Sequence, residues 1–137
     1  MRWLAVFLAL TLGACATADG PSQEELKERW EQQNILPAGY KADLLAFMRT
    51  YLNDPANVRS AGVTAPQRKI VGPGERFVVC VRYDAKKDGG QYAGAKESMV
   101  VFVSGKLDRF VEAIRENRDL CKGAVYAPFP ELQKLAR

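Results

Sequence analysis

The sequence predicts an α+β fold, an antiparallel sheet of three to four strands packed against one main amphipathic helix, and three observations lead there. Between Arg76 and Gly105 two β-rich runs flank a loop crowded with Gly and Lys. Phe77, Val79, Val81 and Tyr83 alternate along the first run and Met99, Val101 and Val103 along the second, the two-residue period of a strand. The interleaved positions Val78, Cys80, Val100 and Phe102 are apolar too, so the middle of this hairpin is expected to be covered on both faces. Upstream, Leu44, Leu45, Phe47, Met48, Tyr51 and Leu52 recur at three- and four-residue spacing between about Lys41 and Asn53, a stripe wide enough for a core-facing helix. The 137 residues, 47% of them hydrophobic, suffice for one domain, here placed at 22–137.

A leader is expected at the start of the chain. Arg2 is followed by an apolar run from Trp3 to Leu12, too short to span a bilayer, which takes about 20 apolar residues. Leu12-Gly13-Ala14-Cys15 then resembles the lipobox of bacterial lipoproteins. The resemblance implies a signal peptide over 1–14, cleavage before Cys15, and lipidation of that Cys. Ala16, in place of an Asp after the Cys, implies the outer membrane, with the protein facing the periplasm. Residues 15–21 are small and polar and read as a tether.

Ser22-Gln23-Glu24-Glu25 has the pattern of a capping box with acids in the first turn, so a helix is expected from Ser22. Leu26 and Trp30 are its one apolar pair, which gives a narrow docking stripe; Trp30 is expected to pack on its own domain rather than on a partner. Pro37-Ala38-Gly39 interrupts the chain before the main helix, and Asn53-Asp54-Pro55 stops that helix. Val58 to Thr64 reads as a short strand, with Arg68 to Val71 resuming it past Pro66, and Gly72-Pro73-Gly74 is a turn rather than a phosphate loop, which would need a Lys-Ser/Thr end and a following helix. Beyond the central hairpin, Leu107 to Ile114 fits both a strand and a helical face; the tight turn before it favours a strand. A charged loop or helical turn over Arg115 to Asp119 and a short terminal helix around Glu131 to Ala136 complete the chain.

Charge and residue usage narrow the chemistry. The net charge is +4, or +3 without Arg2 of the leader, and cations alternate with acids, so no basic stripe for nucleic acid is present. There is no His, which removes Ser-His and Cys-His dyads and imidazole metal ligands; neither a metal nor any other cofactor is implied. With Cys15 lipidated, Cys80 and Cys121 remain as a pair in an oxidising compartment. A structural disulfide is the first reading of that pair, with two buried free thiols or a redox couple as alternatives. A Ser-Lys pair, Lys96 with Ser98, or the carboxylates Asp84 and Asp88 are what survives for catalysis, and a solvated strand edge or turn accounts for each.

Leu52-Asn53-Asp54-Pro55, Val58-Arg59, Cys80, Ala85-Lys86, Gly89-Gly90, Tyr92 and Gly94 are similar to a pattern in small exported bacterial lipoproteins of no assigned activity. The resemblance spans roughly residues 44 to 104 and implies a helix packed on an antiparallel sheet; Val81 and Asp84 stand where many of those proteins have Gly and Asn. The functional expectation is a non-enzymatic envelope module, anchored to the membrane through its lipid and binding an envelope protein or peptidoglycan. The alternative is a small enzyme using Ser/Lys or carboxylates. The candidate contact residues are Lys86, Lys87, Tyr92 and Lys96, because KKDGGQYAG is longer than hairpin closure requires.

Overall fold

The computed structural model describes residues 20–136; the expected signal peptide, Cys15 and most of the tether lie outside them. Helix α1, Gln23–Gln32, starts on the capping box: the Glu25 N–H donates to the Ser22 hydroxyl (3.2 Å) and the Ser22 N–H to the Glu25 carboxylate (2.7 Å). No residue of α1 is buried, so Trp30 does the docking. Its indole N–H donates to the Glu75 carbonyl (2.8 Å), and the Arg76 guanidinium lies 3.5 Å from its ring centre while donating to the Trp30 carbonyl. Gly74 makes this fit possible, because a Cβ there would stand 2.8 Å from the indole Cδ1.

Helix α2, Tyr40–Tyr51, presents Leu44 and Met48 to the core and ends at Leu52, whose extended backbone starts the turn into the sheet before Pro55. The strands follow as β1 Asp54–Val63, β2 Gln67–Val71, β3 Gly74–Lys86, β4 Lys96–Val103, β5 Lys106–Glu112 and β6 Ala127–Pro128, then helix α3, Pro130–Gln133. The antiparallel order is β5-β4-β3-β1-β6, with β2 also on β3. β3 is 13 residues long, so β4 fills one edge while β2 and β1 share the other end to end. At the joint the Thr64 N–H donates to the Cys80 carbonyl and the Thr64 hydroxyl accepts from the Cys80 N–H, both at 2.9 Å, which keeps the ladder satisfied while the chain steps aside.

The α+β class stands, and the finer expectation is corrected. The sheet has six strands, not three to four, because residues 64–66 split what read as one interrupted strand and because Ala127–Pro128 is too short to show any period. Nor is there one helix on the sheet: α3 adds Leu132 to the core beside Phe129 and Leu135, and α1 lies across the β2–β3 turn. The segment after Gly105 is a strand, as its preceding turn implied.

Both faces of the central strands are covered. On the first, α2 and α3 pack over Val63, Val79, Val81, Tyr83, Val100 and Phe102. On the second, Val78, Cys80, Met99 and Val101 lie beneath an irregular segment, residues 113–126, from which Leu120, Ala124 and Tyr126 reach down. A disulfide between Cys80 and Cys121 fastens that segment to β3, with Cα atoms 5.9 Å apart. Of the three readings of this pair, the bonded one is found.

Candidate functional site

The long connection between β3 and β4 is an ordered bulge on the hairpin rather than a slack loop. Lys86 bridges to Tyr92, the Lys87 N–H donates to the Gln91 carbonyl (2.9 Å), and the Ala93 N–H donates to the Ala85 carbonyl (3.0 Å). Asp84 organises its base. This buried carboxylate accepts from Arg59 Nε on one oxygen and from the Gly94 N–H on the other, both at 2.8 Å. Gly94 has φ +93°, a conformation an L side chain resists, so the close approach of its N–H depends on glycine. Arg59 sits between two register shifts in β1, flanked by Asn57 and Ser60 at positive φ; such bulges re-aim a strand side chain, here toward Asp84. The same guanidinium lies 3.7 Å from the centre of the Tyr92 ring, whose hydroxyl donates to the Asn57 carbonyl (2.8 Å).

Next to this bulge is a cleft of about 280 Å³ between the C-terminal end of α2 and the ends of β3, β4 and β5. Lys86, Lys87 and Lys96 line it together with Tyr51, Tyr83 and Glu112. Among the described residues no carboxylate pairs with any of the three lysines. Glu112, the acid in the lining of the cleft, is engaged by the Tyr51 hydroxyl, which donates to it. Burial, with Glu112 beside it, pushes the Tyr51 hydroxyl up to about 12. Burial likewise holds the Tyr83 hydroxyl above the usual tyrosine range. The Tyr51 ring stacks on Phe47 and meets Phe110, at centroid distances of 5.1 and 4.8 Å, so the wall that carries Glu112 is braced by a three-ring cluster.

Of the four residues proposed from sequence, Lys86, Lys87 and Lys96 line the cleft. Tyr92 adjoins it through Lys86, whose Nζ is 5.6 Å from the Tyr92 ring centre, while the Tyr92 hydroxyl donates to the Asn57 carbonyl and the ring meets the Arg59 guanidinium on β1. Ser98 is fully buried, so its hydroxyl is out of reach of a substrate despite lying on the same strand as Lys96. Asp84 is occupied by Arg59 and Gly94, and Asp88 is at the exposed tip of the bulge. Tyr51, Tyr83 and Glu112 were missed, because helix and strand periodicity account for each of them without a site. One signal was available: two tyrosines among otherwise apolar core positions carry hydroxyls that need partners.

Among the described residues no group of three or more His, Cys, Asp or Glu is placed to hold a metal ion, and no helix is long and apolar enough to cross a membrane. In comparisons with known proteins the chain matches no family model, no curated protein and no solved structure, so the geometry of this cleft carries the functional argument.

Proposed function

We propose that this protein is a lipid-anchored module of the bacterial cell envelope, facing the periplasm from the outer membrane, which binds an acidic envelope component through Lys86, Lys87 and Lys96. The observation that supports binding is the convergence of three lysines on one cleft with no carboxylate paired to any of them. Structural lysines of a solvated surface gain little from such crowding, since like charges repel, whereas a cleft lined by one sign of charge concentrates counter-ions. The lipobox-like Leu12-Gly13-Ala14-Cys15 supports the address. Tyr92 has an indirect part: it shapes the bulge that carries Lys86 and Lys87.

A pull-down from detergent-solubilised membranes tests the reading. Wild type should recover a specific envelope component, and the Lys86→Ala/Lys87→Ala/Lys96→Ala protein should recover at least several-fold less while keeping its circular dichroism and melting temperature. Equal recovery by the two proteins would remove the cleft from the account. Labelling with a fatty-acid probe checks the anchor separately, and Cys15→Ser should lose both label and membrane fractionation.

A further inference from the structure

The geometry points to a specific ligand chemistry for the cleft: a phosphate monoester, held by the ammonium groups of Lys86, Lys87 and Lys96. This rests on the proposal that the cleft binds an acidic component and adds which acid it is. Three cations line the cleft and one acid, Glu112, stands among them, so the local balance is two positive charges. A single carboxylate brings one charge and two oxygens, leaving at least one ammonium without a counter-charge. A phosphate monoester brings about −1.5 to −2 charge at neutral pH and three acceptor oxygens, which matches both the charge and the number of donors. Lysine suits this task as a compact point charge that needs no planar, two-pronged partner.

The remaining walls set orientation. Glu112 and the carbonyl end of α2 repel an anion, so the phosphate is confined to the lysine side. The half-exposed Tyr51 ring, braced by Phe47 and Phe110, is left for the group that carries the phosphate. About 280 Å³ is at the small end of ligand sites, enough for a phosphorylated head group and not for a large ligand enclosed whole. The engagement of Glu112 by Tyr51 matters as well, because it occupies the carboxylate that lines the cleft with the three lysines.

Two sources carry this chemistry in an envelope, a phosphorylated sugar and a phosphomonoester lipid, and the test separates them. The full chain in neutral detergent is titrated with inorganic phosphate, sulfate and succinate by calorimetry at matched ionic strength. Phosphate should bind more tightly than succinate and should weaken at least about threefold from about pH 7.5 to about pH 5, where it loses its second charge, while sulfate stays constant. The Lys86→Ala/Lys87→Ala/Lys96→Ala protein should lose about tenfold or more, a loss of one counter-charge per site removed. A charge-matched control, Lys27→Ala/Lys122→Ala/Lys134→Ala, should keep its affinity, and Glu112→Gln should gain. Displacement of phosphate by glucose 6-phosphate assigns a sugar source; displacement by phosphatidate vesicles assigns a lipid source. Succinate binding as well as phosphate, no fall in phosphate affinity toward pH 5, or equal losses in the two triple variants would overturn the phosphate assignment. The pull-down result would stand in that event, and phosphate binding without any recovered partner would sink the envelope-binding proposal instead.

Discussion

The two faces of the sheet are closed by different physics. On the first, helices α2 and α3 bring Leu44, Met48, Phe129 and Leu132 onto Val79, Val81, Val100 and Phe102, and burial of large apolar side chains suffices. On the second, the covering segment has no helix or strand between Glu112 and Ala127 and sets only Leu120, Ala124 and Tyr126 against the sheet. There the closures are covalent and polar: the Cys80–Cys121 bond, Arg82 stacked 4.7 Å from the Tyr126 ring centre, and Lys69 Nζ donating to the Leu120 carbonyl (3.0 Å). A cover without periodic structure buries too little to hold itself down, so it has to be tied. The lysine cleft opens beside the first face, where rigid packing beneath it is supplemented at the rim by the Tyr51–Glu112 bond and by the Arg59–Asp84–Gly94 junction under the bulge.

Removing the disulfide should break the comparison most. With the cysteines 41 positions apart in sequence, loop-closure entropy assigns the bond about 4 kcal/mol, a large part of a small domain's stability. Cys80→Ser/Cys121→Ser should therefore melt well below wild type. Near its folding limit, hydrogen exchange should rise first over residues 113–126 while α2 stays protected. Leu44→Ala on the first face should cost a comparable amount, about 3 kcal/mol, by leaving a cavity. Its loss should appear as one cooperative transition without early exchange on the second face. Early exchange over the same segment in both variants would show that the faces are not independently closed.

How much of this was legible in the sequence differs between the faces in the same way. Leu44, Met48, Val79 and Val81 follow helical and strand periods, so the first face, the main helix and the central hairpin could be read from spacing alone. The second face depends on an irregular segment whose position only the Cys pair hinted at, and on β1, whose two register shifts have no signature in its residue pattern. The number of strands failed for a related reason: β1 and β2 lie end to end along one long β3, and spacing along a chain does not report which edge a strand occupies. The site was half legible. Surplus loop length identified Lys86, Lys87 and Lys96, but Glu112, 16 positions on from Lys96, joins them only through the β4–β5 register. Spacing could not show that the Tyr92 hydroxyl reaches the Asn57 carbonyl, because that contact depends on how β1 lies beside the hairpin.

A smaller effect sharpens the account of the ionic ties. Asp84→Ala leaves Arg59, which is largely solvated, able to turn to water, but strands the Gly94 N–H and frees the Tyr92 side of the bulge. A buried hydrogen bond to a charged group contributes about 1.5–3 kcal/mol, and the exposure of Arg59 argues for the lower end. The variant should melt moderately below wild type and bind phosphate more weakly, since Lys86 and Lys87 ride on the bulge. Tyr92→Phe, which removes one hydroxyl at a half-exposed position, should cost about 1 kcal/mol or less. If Asp84→Ala melts like wild type, the Arg59–Asp84–Gly94 junction does not hold the bulge.

The smallest effect concerns pH, and it falls on the packed face. Tyr51 keeps its proton up to about 12 in the folded protein, against 10.0 for an unperturbed tyrosine, chiefly through burial and then through its bond to Glu112. Because the folded state holds that proton more tightly than the unfolded chain, the associated stability is fully present below pH 10.0 and is lost as the pH rises toward about 12. Tyr83 on the same face and Tyr126 on the other are raised in the same direction by burial, so wild type should weaken in alkali through all three. Tyr51→Phe takes out one contribution. Urea unfolding of both proteins at several pH values from neutral to strongly alkaline should show the advantage of wild type over Tyr51→Phe shrinking above pH 10.0 and unchanged below it. Partial exposure of Tyr51 keeps the change modest, since water screens the ionised ring. A difference that stays constant across this range would mean that Tyr51 titrates as it does in the unfolded chain, and that its hydroxyl does not withdraw Glu112 from the lysines of the cleft.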